Sequence, residues 1–516
     1  MRQHVLYVLA PSRADKVKKV MERLNAKEIQ GSPITFNYEL THRLLGDLTL
    51  QISYLTNLDG VAPHMRTHPV DLLIYDERGA DGKEAVNAIS HIKADVTRLA
   101  ELWGPDFHFP MSRVVSILAH DNKRMHRSFE LGRLHVRDVF VSPKNTAVVL
   151  RWLYHIFSHG VKRTNQVGFA LSGGALDGLL YQVGVLFALE TGIDGKRIDS
   201  CQAVSGISSG AIAGALIAGK IPLGETIRSF YGNSKKLPHL KSTTIFDLAG
   251  STIVQRLATT SIGIDNFKPN RWLSATLKSI PTGFFKGSNL EDHIRKIMSA
   301  YGNPEHLDEV DTKLFVGATD QDTFEHVIFG LPPLDNVSIV NALRASTALP
   351  PVFMPKTING RNYIDGQVTR SCNINPLIDI GCRLVFIIDP LKPYRHLTAG
   401  ATDKLGGFYG VIQTIKALVS TRFEENLKHA SERFPDVDFL IFQPDEECAK
   451  MMAGSPLRYR IRTEIIELAY RSTLRKIRNR YQVYATKLDR YGFQLKPQED
   501  LKQMERNYDK ILESSR

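Results

Sequence analysis

The 516-residue sequence predicts an α/β protein with two strand-and-helix domains and a mainly helical C-terminal extension. Three observations predict it. Short apolar runs bounded by turn residues alternate with amphipathic stretches over residues 3–158, and again from Val167 onward. A polar, basic segment, His159-Gly160-Val161-Lys162-Arg163-Thr164-Asn165, interrupts that alternation. Beyond residue 460, apolar residues recur at spacings of three and four, the period of a helix. Domains are therefore expected at 1–158 and 167–395, joined by a linker at 159–166. Residues 396–516 are expected to finish the second domain and form the extension.

Composition narrows the class. Hydrophobic residues make up 43% and charged residues 23%, as in a soluble globular protein with full cores. The net charge of +12 favours anionic surfaces: phospholipid, nucleic acid or acidic protein. No motif points to nucleic acid, which is not an expected partner. Cys201, Cys372, Cys382 and Cys448 are scattered without metal spacing, so a reduced compartment and no metal are expected. Met1-Arg2-Gln3-His4 lacks a long apolar core behind a basic start, so no signal peptide is expected. No stretch has the length and apolarity of a membrane span. The expectation is a cytoplasmic protein whose membrane contact is peripheral.

In the first domain, strands are expected at 4–9, 70–75, 114–118 and 138–141, with helices at 14–25, 84–101 and 145–157. Residues 34–56 break the alternation and read as a hairpin. Strand-helix alternation argues a doubly wound parallel sheet. Val70-Asp71-Leu72-Leu73-Ile74-Tyr75-Asp76, then Gly79-Ala80-Asp81-Gly82, and Val136-Arg137-Asp138-Val139-Phe140-Val141-Ser142-Pro143 resemble a response-regulator receiver domain over residues 3–158. On that resemblance Asp76 stands at the phosphoacceptor position. Phosphorylation there needs a cation held by further carboxylates and a lysine to offset the phosphoryl charge. The acidic pair is replaced by Ala10-Pro11 and the lysine by Ser142. The expected domain is receiver-like but not phosphorylated, with Asp76 an ordinary strand-end acid. Its role would be docking a protein partner or self-association.

The second domain opens with an apolar strand at 167–171, a glycine-rich turn at 172–178 and a helix at 179–190. Such an arrangement also holds dinucleotide phosphates, but Ala175 occupies the middle glycine of G-x-G-x-x-G, so no nucleotide cofactor is expected. An apolar run at 201–204 then leads into Gly206-Ile207-Ser208-Ser209-Gly210, and small residues follow over 211–218. This is G-x-S-x-G between a strand and a helix, a turn that pushes the serine hydroxyl out of the sheet. Glycine is needed at Gly206 and Gly210 because a side chain would clash in so sharp a turn. The helix N-terminus directs amides and positive dipole at the same spot, where an anionic tetrahedral intermediate would be favoured.

Leu171-Ser172-Gly173-Gly174, Gly206-Ile207-Ser208-Ser209-Gly210, and Tyr363-Ile364-Asp365-Gly366 occur in the order of the patatin-like phospholipase family, and Ala345-Ser346-Thr347-Ala348-Leu349-Pro350-Pro351-Val352-Phe353 is similar to the stretch that precedes that family's aspartate. The resemblance covers residues 167–390. It implies a three-layer α/β/α catalytic domain and lipid acyl hydrolysis through a Ser-Asp dyad. Ser208 would be the nucleophile and Asp365 the base, with Gly366 in the base turn. Gly173, Gly174, Ala175 and Gly178 would form the oxyanion loop, and the lipid substrate would be met at a membrane or droplet surface. Three departures stand out: Ala175 for a third glycine, Asp177 for a basic residue, and Gln367 after Asp365-Gly366. A Cβ at Ala175 restricts positive φ, and Asp177 reads as a helix cap. Its charge would also disfavour anionic headgroups.

A dyad suffices if burial raises the carboxylate pKa so that it can take the serine proton. The rival is a Ser-Asp-His triad in the same chain order, with His396 or His429 as the third member. Further strands are expected at 313–319, 327–329, 384–388 and 438–442. Ser288-Asn289-Leu290-Glu291 reads as a capping box and Ser338 as the cap of a helix at 339–345. Asp320 and Asp389 read as loop caps. Residues 232–286 mix Lys235, Lys236 and Lys241 with Ile245, Phe246, Ile253, Leu257, Ile262 and Phe284-Phe285, the pattern of an apolar cover or an extra helical layer. Ile466, Tyr470, Leu474, Ile477, Tyr481, Tyr484 and Leu488 form one stripe, ringed by basic residues, that packs on the protein or lies on lipid. Residues 496–516 read as a charged tail. The sequence therefore points to a serine lipid acyl hydrolase. The alternative is a catalytically weak lipid-binding or scaffolding protein that docks partners through its receiver-like domain.

Overall fold

A computed structural model describes residues 2–29, 35–46, 48–79, 85–103, 107, 109–141, 146–159, 166–241, 247, 283, 285–454 and 461–515. Two compact units emerge from its contacts. One comprises Met1–Gln166, Glu424–Leu440 and Ile477–Leu495; the other comprises Val167–Phe423, Ile441–Lys476 and Lys496–Arg516. Among the described residues, no helix is long and apolar enough to cross a membrane.

The first unit is built on seven strands: β1 (Arg2–Leu9), β2 (Lys27–Ile29), β3 (Thr35–Thr41), β4 (Thr49–Leu55), β5 (Leu72–Asp76), β6 (Val114–Leu118) and β7 (Asp138–Val141). Their order is β2-β3-β4-β1-β5-β6-β7. Strands β4, β1, β5, β6 and β7 run parallel to their neighbours in that order. Strands β3 and β4 are the expected hairpin, antiparallel from Thr35↔Leu55 to Thr41↔Thr49. With β2 and β3 set aside, the parallel order β4-β1-β5-β6-β7 is that of flavodoxin-like sheets. Alternation along β1 explains the two layers. Leu6 and Val8 enter one apolar cluster with Ile89 and Leu131, while Val5 and Leu9 enter the other with Met21 and Leu153.

Asp76 is more than a strand-end acid. Its side chain is fully buried, and Arg78 grips it from Nε at 2.8 Å and Nη2 at 2.9 Å. Arg13 reaches Oδ2 at 3.3 Å, and the Tyr7 hydroxyl donates to the same oxygen at 3.0 Å. A buried carboxylate persists because these groups replace its water. Residues 80–82, 142–143 and the linker at 160–165 lie outside the described residues.

The second unit contains β8 (Gln166–Leu171), a short β9 (Ile193–Gly195), β10 (Ala203–Ile207), β11 (Lys313–Asp320), β12 (His326–Phe329), β13 (Lys356–Ile358), β14 (Arg361–Asp365) and β15 (Cys382–Ile388). With β16 (Asp438–Phe442), the main sheet runs β13-β14-β11-β10-β8-β15-β16, and β12 pairs with β11. Strands β8, β10 and β11 are parallel neighbours, whereas β14 lies antiparallel to β11. Helices Ala175–Gly192 and Ser209–Ala218 are apolar nearly all round because both are buried.

Local expectations fare unevenly. Ser338 caps helix Ile339–Ser346, its hydroxyl accepting from the Asn341 amide. Ser288 does not cap helix Ser288–Ala300. The Asp247 carboxylate takes the amides of Gly287, Ser288 and Asn289 at 2.6, 2.6 and 3.1 Å. A two-oxygen anion satisfies more orphan amides than a hydroxyl and is favoured by the dipole. Asp320 accepts from the Asp322 and Thr323 amides, and Asp389 from the Leu391 amide, so both do act as loop caps. The glycine turn is shorter than expected: the helix begins at Ala175 and takes in Asp177 and Gly178.

The stripe from Ile466 to Leu488 faces inward, with Ile466, Tyr470, Leu474, Ile477, Tyr484 and Leu488 buried. That leaves it no apolar side for lipid. Residues 496–516 are not a tail. Helices Gln498–Arg506 and Tyr508–Ser514 bury Leu501, Met504, Tyr508 and Leu512. Tyr508 bonds the Tyr231 hydroxyl at 3.0 Å and packs on Phe187 and Tyr470. Within the expected cover, residues 242–246, 248–282 and 284 lie outside the described residues.

Candidate active site

The site is built from three loops that leave the main sheet of the second unit. The first follows β10, all five residues of which are buried. At Ser208 the chain turns with φ 54° and ψ −125°, and helix Ser209–Ala218 starts at the next residue. A non-glycine residue in that conformation is strained, as a strand-to-helix elbow requires. Small neighbours permit it. A Cβ on Gly206 would meet the Gly210 carbonyl and Ala211 backbone; one on Gly210 would meet the carbonyls of Leu171 and Ser172. The strained residue is held by Ser346, whose Oγ accepts from the Ser208 amide at 2.8 Å and donates to the Gly317 carbonyl at 2.6 Å.

The second loop follows β14. Asp365 is its last residue, paired in register with Ala318 and bonded through its amide to the Ala348 carbonyl at 3.0 Å. The side chain is buried, and its Oδ1 accepts from the Gln367 amide at 2.9 Å. Burial pushes the Asp365 pKa up to about 6, against the lowering effects of the neighbouring Ser208 hydroxyl and the Gln367 amide. Gly366 lets the turn press on β11, since a Cβ there would lie 2.5 Å from the Gly317 oxygen.

The third loop, Ser172–Gly174, joins β8 to the following helix. A Cβ on Gly173 would lie 2.8 Å from Ser208 Cβ and 2.5 Å from Gln367 Cδ, so glycine lets the loop approach the serine. Gly174 faces Pro390, and Gly178, one turn into the helix, faces Pro390 and Ser209. Among the described residues, no backbone acceptor pairs with the Gly173 or Gly174 amide. Ala175 adopts φ 52°, left-handed geometry that a Cβ disfavours. Asp177 is buried in the first helical turn, so its charge does not face a headgroup; the expected bias against anionic lipids has no structural basis.

Ser208, Asp365, Gly173, Gly174, Ala175, Gly178, Gly206, Gly210 and Gly366 thus fall in or against these three loops. Three others belong with them. Ser346 supports the elbow, Gln367 lies between Gly173 and the Asp365 turn, and Gln182 donates to the Ser172 carbonyl. Ser346 and Gln367 lie in or beside stretches that carry the family resemblance, but nothing in the spacing gives them these roles, and Gln182 lies in no motif. The histidines of the rival triad are elsewhere engaged or exposed. His396 bonds the Tyr409 hydroxyl at 2.7 Å, and His429 is an exposed residue of helix Gly407–Arg433. A different histidine, His326, bonds Thr369 and Asn373, and burial lowers its pKa to about 4. Among the described residues, no group of three His, Cys, Asp or Glu side chains is arranged to hold a metal.

Comparison with known proteins agrees with this layout. Residues 169–378 match the model of the family described as patatin-like phospholipase, a span that takes in all three loops. Among solved structures, VipD from Legionella pneumophila aligns at 14% identity and a TM-score of 0.30, over 60% of this chain and 66% of that one. The chain therefore spans just under two thirds of VipD. Residues 169–378 of this protein are a patatin-like phospholipase domain.

Proposed function

We propose that this protein is a lipid acyl hydrolase that cleaves acyl ester bonds through a Ser208–Asp365 dyad and an acyl-enzyme intermediate. The observation that carries the reading is the convergence of the Ser208 elbow, the Gly173 loop and the turn after a buried Asp365, whose pKa burial raises to about 6. Such a carboxyl is ionised at neutral pH yet basic enough to take a proton in the transition state.

The proposed steps are these. Asp365 accepts the Ser208 proton as Oγ attacks the ester carbonyl carbon. The tetrahedral oxyanion is met by the Gly173 and Gly174 amides and the N-terminus of helix Ser209–Ala218. The bond between the acyl carbon and the alcohol oxygen breaks, and the leaving alcohol takes the proton from Asp365. Water then gives a proton to Asp365 and attacks the acyl carbon; the acyl–Oγ bond breaks, Ser208 Oγ takes the proton back from Asp365, and the fatty acid leaves. Strain at Ser208 and its tether to Ser346 hold Oγ in position before substrate arrives.

The test is fatty-acid release from phospholipid vesicles by the full chain. Wild type is expected to release free fatty acid, and Ser208→Ala to lower release to the uncatalysed background. Equal release by the two proteins would remove the reading.

A further inference from the structure

Helix Gly407–Arg433 buries Val419 and Phe423, yet along residues 411–418 it also turns apolar side chains outward and a lysine inward. Lys416 is only 3% exposed and Ser420 is buried, while Val411, Ile415 and Leu418 face solvent at 56%, 50% and 66% exposure. The Lys416 ammonium donates inward to the Met452 carbonyl. A helix on a water-facing surface turns its charges outward, so this one is matched to an apolar environment. Just before it stand two more exposed leucines, Leu405 at 54% and Leu397 at 99%. The Leu397 loop is joined to the helix by the His396–Tyr409 bond and by the Tyr394 amide, which donates to Gln413 at 3.1 Å.

This apolar surface runs to the candidate active site. Val411, Ile415, Leu418 and Arg422 are spaced four, three and four apart, so they share one helix face. At its end the Arg422 guanidinium donates to the carbonyls of Gln367 and Val368 at 2.9 and 3.1 Å, in the loop that follows Asp365. Val368 and Leu349, both exposed, extend the apolar surface to the chain on either side of Asp365. Charge points the same way. With Lys416 turned inward and Arg422 held by carbonyls, the basic side chains left at the surface of residues 391–423 are Lys392, Arg395 and Lys404, against one acid, Asp403, before Glu424 and Glu425 follow on the helix.

We propose that the apolar face of residues 397–418 is the surface by which this protein docks on an anionic phospholipid bilayer, with the Ser208–Asp365 loops turned to the lipid. An apolar helix face bordered by cations lies in the interface of such a bilayer. The proposal rests on the hydrolase reading for its substrate, but vesicle binding is measured separately from turnover. The experiment compares Ser208→Ala with Ser208→Ala carrying Val411→Gln, Ile415→Gln and Leu418→Gln. Each is floated with vesicles of phosphatidylcholine alone or mixed with phosphatidylglycerol.

The parent is expected to float with the mixed vesicles and the triple variant to bind at least about tenfold more weakly. On the wild-type Ser208 background, the same three substitutions are expected to leave turnover of a soluble short-chain ester intact and to cut vesicle hydrolysis. Leu397→Gln, a change at a side chain with almost no protein contact, gives a second reading should the triple variant fold poorly. Equal binding by parent and variants overturns the proposal, as does failure of the parent to bind anionic vesicles. So does light scattering in which the substitutions split a dimer without changing lipid binding. Vesicle binding without any ester turnover would instead sink the hydrolase reading and leave the surface standing.

Discussion

Replacing Asp365 with asparagine is expected to destroy activity and raise stability, and the two effects share one cause. The carboxyl is moved from its ordinary 3.8 to about 6, chiefly by burial. That displacement corresponds to about 3 kcal/mol between the charged and neutral forms. Below pH 3.8 the group is protonated in both folded and unfolded chains, so its charge costs nothing. As pH rises towards 6 the unfolded chain ionises first, and stability falls across that window. Above it, the folded protein bears the full destabilisation. The introduced amide has no charge to desolvate, and its carbonyl can still accept from the Gln367 amide. For a unit of this size the gain is about 5 °C in thermal midpoint near neutral pH, shrinking to nothing below about pH 4. Thermal unfolding of wild type and Asp365→Asn across that pH range measures it. A variant no more stable than wild type at neutral pH, or one whose advantage does not change with pH, would refute the reasoning.

Three other expectations follow from single residues. Ala175→Gly relieves a left-handed alanine, worth about 1–2 kcal/mol, against about 0.4–1 kcal/mol lost through the more flexible unfolded chain. The midpoint should rise slightly with ester turnover retained, and a fall would contradict the φ of 52°. Ser346→Ala leaves the buried Ser208 amide and Gly317 carbonyl without their bridge, at about 1–3 kcal/mol, and should lower kcat more than it raises KM; unchanged kcat would mean the elbow needs no tether. Replacing both His396 and His429 should leave ester turnover within about twofold of wild type, whereas a loss of about a hundredfold or more would restore the histidine triad.

Much of this architecture is legible in the residues because short-range physics decides it. β6 and β7 fall at their expected ends, since apolar runs between turn residues have few other ways to fold. The elbow is legible because Gly206 and Gly210 are demanded by contacts within a few residues and with the adjoining strand. Long-range contacts leave weaker marks. Asp247 caps a helix 41 residues away, where local spacing favours Ser288. Leu501, Met504, Tyr508 and Leu512 keep helical spacing, but the charges between them disguise two packed helices as a tail. Ser346 gives no warning of its role, because its link to Ser208 spans 138 positions. The outward apolar face of residues 397–418 is also invisible to periodicity, which ranks Lys416 as a surface residue.

The central claim is that Ser208 is a nucleophile activated by Asp365. The direct measurement is covalent labelling of the full chain by a fluorophosphonate ester, followed by peptide mapping. Stoichiometric label on Ser208, lost in Ser208→Ala and slowed by orders of magnitude in Asp365→Asn, is the expected result. Absence of label on Ser208, or labelling at an undiminished rate without the Asp365 carboxylate, would contradict it.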